Sequence, residues 1–349
     1  MEHDVRGKRV LVGLSGGVDS AVSAYLLKKA GAEVSGVFVK GWYPEGMPCT
    51  WREERADALR VAAHLSIPFH TLDAGEAYKA GVIDYLVEEY KKGRTPNPDV
   101  MCNREVKFGV LHEYRVREGY DYLATGHYAR ASKEGVLMRG IDSSKDQSYF
   151  LWAVSQDILK ETLFPVGNQE KAVTRRIALE ARLPVSSKRD SQGICFLGSI
   201  SVPDFLRNEF GEKPGNALTS DGTHVGTHDG VLLYTAGQKV RLGGLEHAWY
   251  VVSKDIPTNT LIVSSTAIPA STEGISFDSP NWFTTPYDNE EVVAQTRYHG
   301  PRTVGALDTL KNVFLPSLPA SEHSAPGQSI VFYNGEQVIG GGIIDRHEA

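Results

Sequence analysis

Three segments carry side chains whose types and spacing can do chemistry. The first is Gly13-Leu14-Ser15-Gly16-Gly17-Val18-Asp19-Ser20. Its glycines let the backbone curl so that several N–H groups face one anion, and a helix starting at Val18 adds its dipole. Ser15 and Ser20 supply hydroxyl donors, and Asp19 can hold a magnesium ion or its waters. No Gly-Lys-Ser/Thr follows, so this is not a Walker A loop. The bland alternative is a glycine-rich turn capped by serine. The second segment is Asn97-Pro98-Asp99-Val100-Met101-Cys102-Asn103, read as lying just before a helix that starts at Arg104. A cysteine near a helix N-terminus is favoured as thiolate, and Arg104 and Lys107 add positive charge. Asp99 can act as a base or hydrogen-bond partner. A lone cysteine is usually a small buried hydrophobe, but these polar, proline-bearing neighbours argue against burial. The third is Lys188-Arg189-Asp190-Ser191-Gln192-Gly193-Ile194-Cys195-Phe196, again a cysteine in a loop with cations near it. Cys102 and Cys195 are 93 positions apart, so only folding can join them. Zinc ligation is the weak rival, because there is no Cys-x-x-Cys pair and no histidine at zinc spacing.

The elements that must position these segments alternate. Strands are predicted over 9–14, 33–39, 67–72 and 122–125, and helices over 18–30, 51–65, 77–91 and 104–118. Strand–helix alternation at this spacing means a parallel sheet covered on both faces, with ligands at the carboxyl ends of the strands. After about residue 200 the pattern turns to short β runs. These include Val231 to Tyr234, Trp249 to Val252, 290–298 and 328–344, with Asn334-Gly335 and Gly340-Gly341-Gly342 as turn signals. One or two small β domains are expected. The Pro/Ser/Thr-rich stretch 264–281 is the expected linker between them.

At 349 residues with 41% hydrophobic content, the chain is globular and long enough for two or three domains. No apolar run is long enough for a membrane span, and the first apolar stretch, 10–14, is too short for a secretory signal. Three cysteines do not make a disulfide scaffold and suggest a reducing compartment, so a cytoplasmic location is expected. Residues 1–200 hold 28 Lys+Arg and 26 Asp+Glu, a balance of +2; residues 201–349 hold 9 and 17, a balance of −8. A nucleic-acid partner would have to be met mainly by patches in the first part.

The loop GLSGGVDS resembles the SGG-x-D-S loop of the ATP pyrophosphatases. With GRTPNPDVMCNREVKFG, ATGHYAR, KDQSYFLW and SKRDSQGICF in that order, the chain resembles the tRNA-specific 2-thiouridylase (MnmA/TrmU) family along essentially its whole length. The segment Lys40-Gly41-Trp42-Tyr43 departs from the commoner pattern. The resemblance implies an α/β fold: a parallel-sheet PP-loop ATP pyrophosphatase domain (1–204), a small β-rich central domain (205–268) and a C-terminal β-barrel (269–349). It implies ATP with Mg2+, a tRNA substrate and a persulfide sulfur-carrier protein as partner. By the same resemblance Gly13 to Ser20 bind ATP, with Val39 and Gly126 as further nucleotide contacts and Asp19 at the metal. Asn97, Pro98 and Asp99 meet the target base. Cys102 is the nucleophile, Cys195 carries the persulfide, and Asp99 assists proton movement. His127, Lys145, Asp146, Gln147, Arg297, Tyr298 and Gln328 contact tRNA. The implied reaction adenylates the 2-carbonyl of the wobble uridine, then displaces AMP with sulfur to give 2-thiouridine and pyrophosphate. A Cys102–Cys195 disulfide is left for a reductant to reset.

Three rivals stand beside this reading. One is a PP-loop enzyme that attacks an adenylate with an amine, which would have no use for two loop cysteines. Another is an inactive RNA-binding scaffold, against which the intact loop speaks. The third keeps thiolation but holds an iron–sulfur cluster on Asp99, Cys102 and Cys195. Cys49, His64 and His70 read as structural. Lys171, Arg175, Arg176 and Arg182 recur at helical spacing, either as a solvated face or, with Lys188 and Arg189, as a phosphate patch. Trp249 and Tyr250 read as β core.

Overall fold

The computed structural model describes residues 3–43, 51–189, 201–242, 248–268, 272–319 and 324–348, with residues 346–348 described without their side chains. Cys49 and Cys195 lie outside the described residues.

The first unit is a five-stranded parallel sheet in the order β3-β2-β1-β4-β7. Its strands are β1 (Arg9–Gly13), β2 (Glu33–Lys40), β3 (Phe69–Asp73), β4 (Tyr122–Ala124) and β7 (Thr162–Leu163). Alternation along β1 sends side chains to opposite faces. Val10 and Val12 pack with Val22 and Leu27 of helix α1 (Val18–Lys29) and Ala58 and Ala62 of α2 (Trp51–Leu65). Leu11 packs on the other face with Val82 and Leu86 of α3 (75–91) and Val106 and Leu111 of α4 (98–117). Both α3 and α4 contain wide π-helical turns, at Lys79–Asp84 and Cys102–Val110. Helix α4 begins earlier than its apolar pattern suggests, because Asn97 caps it and Pro98 occupies its first turn. Two short helices follow, α5 (Gln156–Lys160) and α6 (Lys171–Glu180).

The expected division after residue 204 falls inside helix α7 (Val202–Phe210). Phe205 and Leu206 of that helix are buried in the same core as α3 and α4. The central unit is a sheet in the order β10-β11-β12-β8-β9. It comprises β8 (Gly215–Leu218), β9 (His224–His228), β10 (Lys239–Val240), β11 (Trp249–Asp255) and β12 (Thr260–Ser264). The run at Val231 is a single 3-10 turn, Val231–Leu233, instead of a strand.

The last unit is a six-stranded barrel, β13 (Gly274–Trp282), β14 (Glu290–Gln295), β15 (Thr303–Asp308), β16 (Val313–Pro316), β17 (Ser329–Asn334) and β18 (Gln337–Glu348). It closes through β13, which pairs with both β16 and β18. The stretch 264–281 is therefore not a linker throughout. Its second half is the strand that closes the barrel, with Ile275 and Phe277 in the barrel core. Gly340, Gly341 and Gly342 are not a turn either; they lie inside β18. A Cβ at Gly341 would come within 2.8 Å of the Trp152 ring, and those at Gly340 and Gly342 would strike Trp282 and Phe277. The glycines make room for large rings. A hairpin of the first unit, β5 (Ala129–Ala131) and β6 (Leu137–Arg139), joins the barrel sheet where Met138 pairs with Gln337 of β18.

Candidate active site

The glycine loop leaves the carboxyl end of β1 and runs into α1. Leu14 N–H donates to the Val37 carbonyl of β2 (2.8 Å), which holds the start of the loop on the sheet. Gly16 has φ +76°, a left-handed conformation, and a Cβ there would strike the Glu54 carbonyl. The loop is internally braced. Ser15 N–H donates to Ser20 Oγ (3.2 Å), Gly17 N–H to Ser15 Oγ (3.3 Å), and Ser20 Oγ–H to the Gly17 carbonyl (3.2 Å). Among the described residues no side chain caps α1, so its first turn presents a positive dipole end at the loop. Gly126 follows β4 and lies against this turn: a Cβ on it would come within 2.6 Å of Ser20 N and 2.8 Å of the Asp19 carbonyl carbon. The side chain of Val39 is buried in the core beneath the end of β2, so the strand end offers only its backbone.

Asp19 occupies the first turn of α1, and both its oxygens are engaged. Lys171 Nζ lies 2.7 and 2.8 Å from them, and the Tyr128 hydroxyl 3.1 Å from Oδ1. A half-exposed carboxylate beside two serine hydroxyls is a hard oxygen donor set. It suits Mg2+, which takes one carboxylate together with substrate phosphates and waters. On the α2 side, Lys188 Nζ donates to the Gly16 carbonyl (3.1 Å) and pairs with Asp57 (2.6 Å). Burial pushes the Asp57 carboxyl up, but Lys188 and Arg60 outweigh it and hold it below the usual range. Lys171, Tyr128, Asp57 and the placement of Lys188 at this loop escape a sequence reading. Arg175 is neither solvated face nor patch, since its guanidinium donates to the Lys188 and Ser186 carbonyls.

Cys102 is fully buried among Met101, Val106 and Phe108. This corrects the expectation of an exposed loop thiol. Pro98 starts the helix early, so Cys102 sits one turn inside α4 on its core face. Asn97 accepts hydrogen bonds from the N–H groups of Asp99 (3.1 Å) and Val100 (3.3 Å). The barrel reaches this helix start. Gln328 Nε2 donates to the Thr95 carbonyl (2.6 Å), and Thr95 N–H donates to the Pro326 carbonyl (2.7 Å). The Tyr298 ring lies 4.4 Å from that of Phe150, whose carbonyl accepts from Asn103 Nδ2 (3.2 Å). Burial pushes the Tyr298 hydroxyl up to about 12. Arg297 heads the turn whose Gly300 N–H returns to its carbonyl (3.0 Å).

The remaining candidates lie between these two groups. The His127 ring sits beside Phe108 (5.5 Å) and Phe164 (6.4 Å), with Nδ1 2.8 Å from Thr125 Oγ1. Desolvation, with Lys107 nearby, holds it well below the usual histidine range, so it is neutral. Asp146 is turned inward: its carboxylate accepts from the Gly140 and Ser148 amides and pairs with Arg139 (3.2 Å). Gln147 exchanges hydrogen bonds with the Tyr128 backbone. Lys145 N–H donates to the Asp142 carbonyl (3.0 Å). Helix α4 connects the two groups. A Cβ on Gly13 would touch its Leu111, and its Phe108 meets His127.

Family models match the three units. One described as the tRNA methyl transferase HUP domain matches residues 8–199. A tRNA methyl transferase PRC-barrel domain matches 203–265, and an aminomethyltransferase beta-barrel domain matches 272–344. The chain is 40% identical to the tRNA-specific 2-thiouridylase MnmA of Lysinibacillus sphaericus (strain C3-41), over 97% of this chain and 94% of that one. It is 41% identical to the MnmA of Streptococcus agalactiae serotype III (strain NEM316), over 97% and 95%. Among solved structures, the U34-tRNA thiolase NcsA of Methanococcus maripaludis aligns at 17% identity and TM-score 0.38, over 59% of this chain and 68% of that one. That likeness is too low to bear on function. With relatives this similar along almost its entire length, and with all three units matched, the chain belongs to the family of tRNA-specific 2-thiouridylases.

Proposed function

We propose that this protein is an ATP-dependent tRNA-uridine 2-sulfurtransferase. The observation that carries the reading is the braced loop from Gly13 to Ser20 at the carboxyl end of β1, with Gly126 packed on it. ATP lies on this loop, its phosphates facing the loop N–H groups, the Ser15 and Ser20 hydroxyls and the start of α1. The adenine side meets the backbone at Val39 and Gly126. Mg2+, held through Asp19, would neutralise phosphate charge. The wobble uridine leaves its stack to reach this site, with Asn97, Pro98 and Asp99 beside it. Its 2-carbonyl oxygen attacks the α-phosphorus and pyrophosphate leaves.

Cys195 brings a persulfide received from a sulfur-carrier protein. Its terminal sulfur attacks carbon 2 and AMP departs with the former carbonyl oxygen. The Cys102 thiolate then attacks the inner sulfur. The sulfur–sulfur bond breaks, the electron pair goes to the thiocarbonyl of the product, and a Cys102–Cys195 disulfide forms. A thiol reductant resets the pair, and Asp99 moves the Cys102 proton. His127, Lys145, Gln147, Arg297, Tyr298 and Gln328 line the tRNA path, while Asp146 shapes it from within. The cytoplasm supplies the tRNA and the reducing conditions. Pyrophosphate release from ATP should require tRNA. A folded Asp19→Ala variant should lose it by at least about 100-fold. Unchanged turnover in that variant would sink the assignment.

A further inference from the structure

We propose that Lys171 is the cation that receives the pyrophosphate end of the nucleotide, and that Asp19 holds it at the loop until nucleotide arrives. This rests on the nucleotide reading above and adds the residue that meets the charge. The segment from Gly13 to Ser20 contains no lysine or arginine. Its N–H groups and hydroxyls are neutral donors, whereas a triphosphate carries several negative charges. In a Walker A loop the balancing lysine is part of the loop; here it must come from elsewhere in the fold.

Two described lysines contact this segment. Lys188 is committed: its ammonium is bonded to the Gly16 carbonyl and locked against Asp57, so it braces the loop from the α2 side. Lys171 approaches from the opposite side. Its ammonium lies on both oxygens of Asp19, at the first turn of α1, where the phosphates must pass.

The surroundings of this pair fix its position. Lys171 N–H donates to Asp142 Oδ2 (2.9 Å), which anchors the start of α6. The Tyr128 hydroxyl lies 3.1 Å from Asp19 Oδ1 and 2.9 Å from Thr174 Oγ1, and Gln169 Nε2 donates to that Thr174 oxygen (2.8 Å). A phenol has one proton. That of Tyr128 has both Asp19 and Thr174 within donating reach. The Tyr128 hydroxyl, held between α6 and Asp19, thus flanks the carboxylate on one oxygen while the ammonium spans both. The side chains of Lys171 and Asp19 are 13% and 30% exposed, so the pair is weakly screened yet open on one side. An ammonium on a four-carbon stem re-aims by a rotamer change. It can turn to phosphate while Asp19 turns to the metal.

Calorimetric titration of the full chain with ATP, AMP and inorganic pyrophosphate tests this. Lys171→Ala should bind AMP like the wild type but bind ATP and pyrophosphate roughly 10- to 100-fold more weakly. Lys171→Arg should recover most of the loss. Removing Lys171 also bares the Asp19 carboxylate, whose repulsion would weaken phosphate binding too. The double variant Asp19→Asn with Lys171→Ala removes that term. It should still bind metal-free pyrophosphate more weakly than Asp19→Asn alone. Equal affinity of those two variants, or an unchanged ATP-to-AMP ratio in Lys171→Ala, overturns the inference while the nucleotide reading stands. A wild type that binds no ATP overturns both.

Discussion

Gly126 leaves no space between β4 and the first turn of α1. A methyl group there must displace the backbone at Asp19 and Ser20, which cannot yield as a flexible side chain would. Gly126→Ala should therefore cost roughly 1–3 kcal/mol of stability and weaken ATP binding, both measurable by urea titration and calorimetry. Wild-type ATP affinity in that variant would place the nucleotide away from this turn. His127 gives a second test. Desolvation holds its folded pKa far below the ordinary 6.5, so below pH 6.5 the unfolded chain takes up a proton that the native ring does not. Stability should fall as pH drops below about 6.5 and stay level above it, as far as this group contributes. His127→Gln should remove one proton from that slope, about 1.4 kcal/mol per pH unit. An identical slope in the variant would contradict the neutral, desolvated ring. At this scale the sequence displayed the loop plainly, because glycine and serine at fixed offsets have few other uses. It concealed Lys171, which arrives from 152 positions away in a helix whose basic spacing resembles any solvated face.

Helix α4 sets the availability of Cys102. Capping by Asn97 and the proline at its first turn start the helix before Asp99, and the thiol turns to the core. Apolar periodicity alone begins the helix at Arg104, which is why the cysteine seemed to lie in a loop. In the protein alone, Cys102 should react with iodoacetamide at least about 100-fold more slowly than in urea, since reaction needs local opening. Addition of tRNA and ATP should speed it. Peptide mapping separates it from Cys49 and Cys195. Labelling as fast as in the unfolded chain would contradict the burial. The same limit on sequence reading appears in β13 and β18. Serine, proline and glycine suggested linker and turn, but 274–282 is a barrel strand, and the glycines of β18 let Phe277, Trp282 and Trp152 pack across the barrel and its neighbour. Only the fold reveals which rings those glycines face.

At the scale of the whole molecule, the parallel sheet with its glycine loop was legible from strand–helix alternation, and a β-rich second part from the change of pattern. The docking between them was not, because it depends on single distant contacts. Arg94 binds Glu89 (2.8 Å), Asp345 (3.2 Å), Asp278 (3.4 Å) and the Ile344 carbonyl (3.2 Å), joining α3 to the barrel. Arg94→Ala should cost roughly 1–3 kcal/mol and broaden the unfolding transition as the barrel loosens; a sharp transition at the wild-type midpoint would remove Arg94 from that role. The positive balance of residues 1–200 makes that part the one expected to meet RNA phosphates. Arg176 and Arg182 are exposed, and reversing both charges should lower the salt slope of tRNA binding by about two. The central claim, that sulfur reaches uridine through adenylation and two cysteines, is tested most directly by mass spectrometry of tRNA nucleosides. The tRNA is incubated with the protein, ATP, magnesium and a persulfide donor. The account predicts 2-thiouridine at the wobble position, with one AMP and one pyrophosphate per sulfur, no product without ATP, and none from Cys195→Ser. Thiolated uridine formed without ATP, or in full yield from Cys195→Ser, would contradict it.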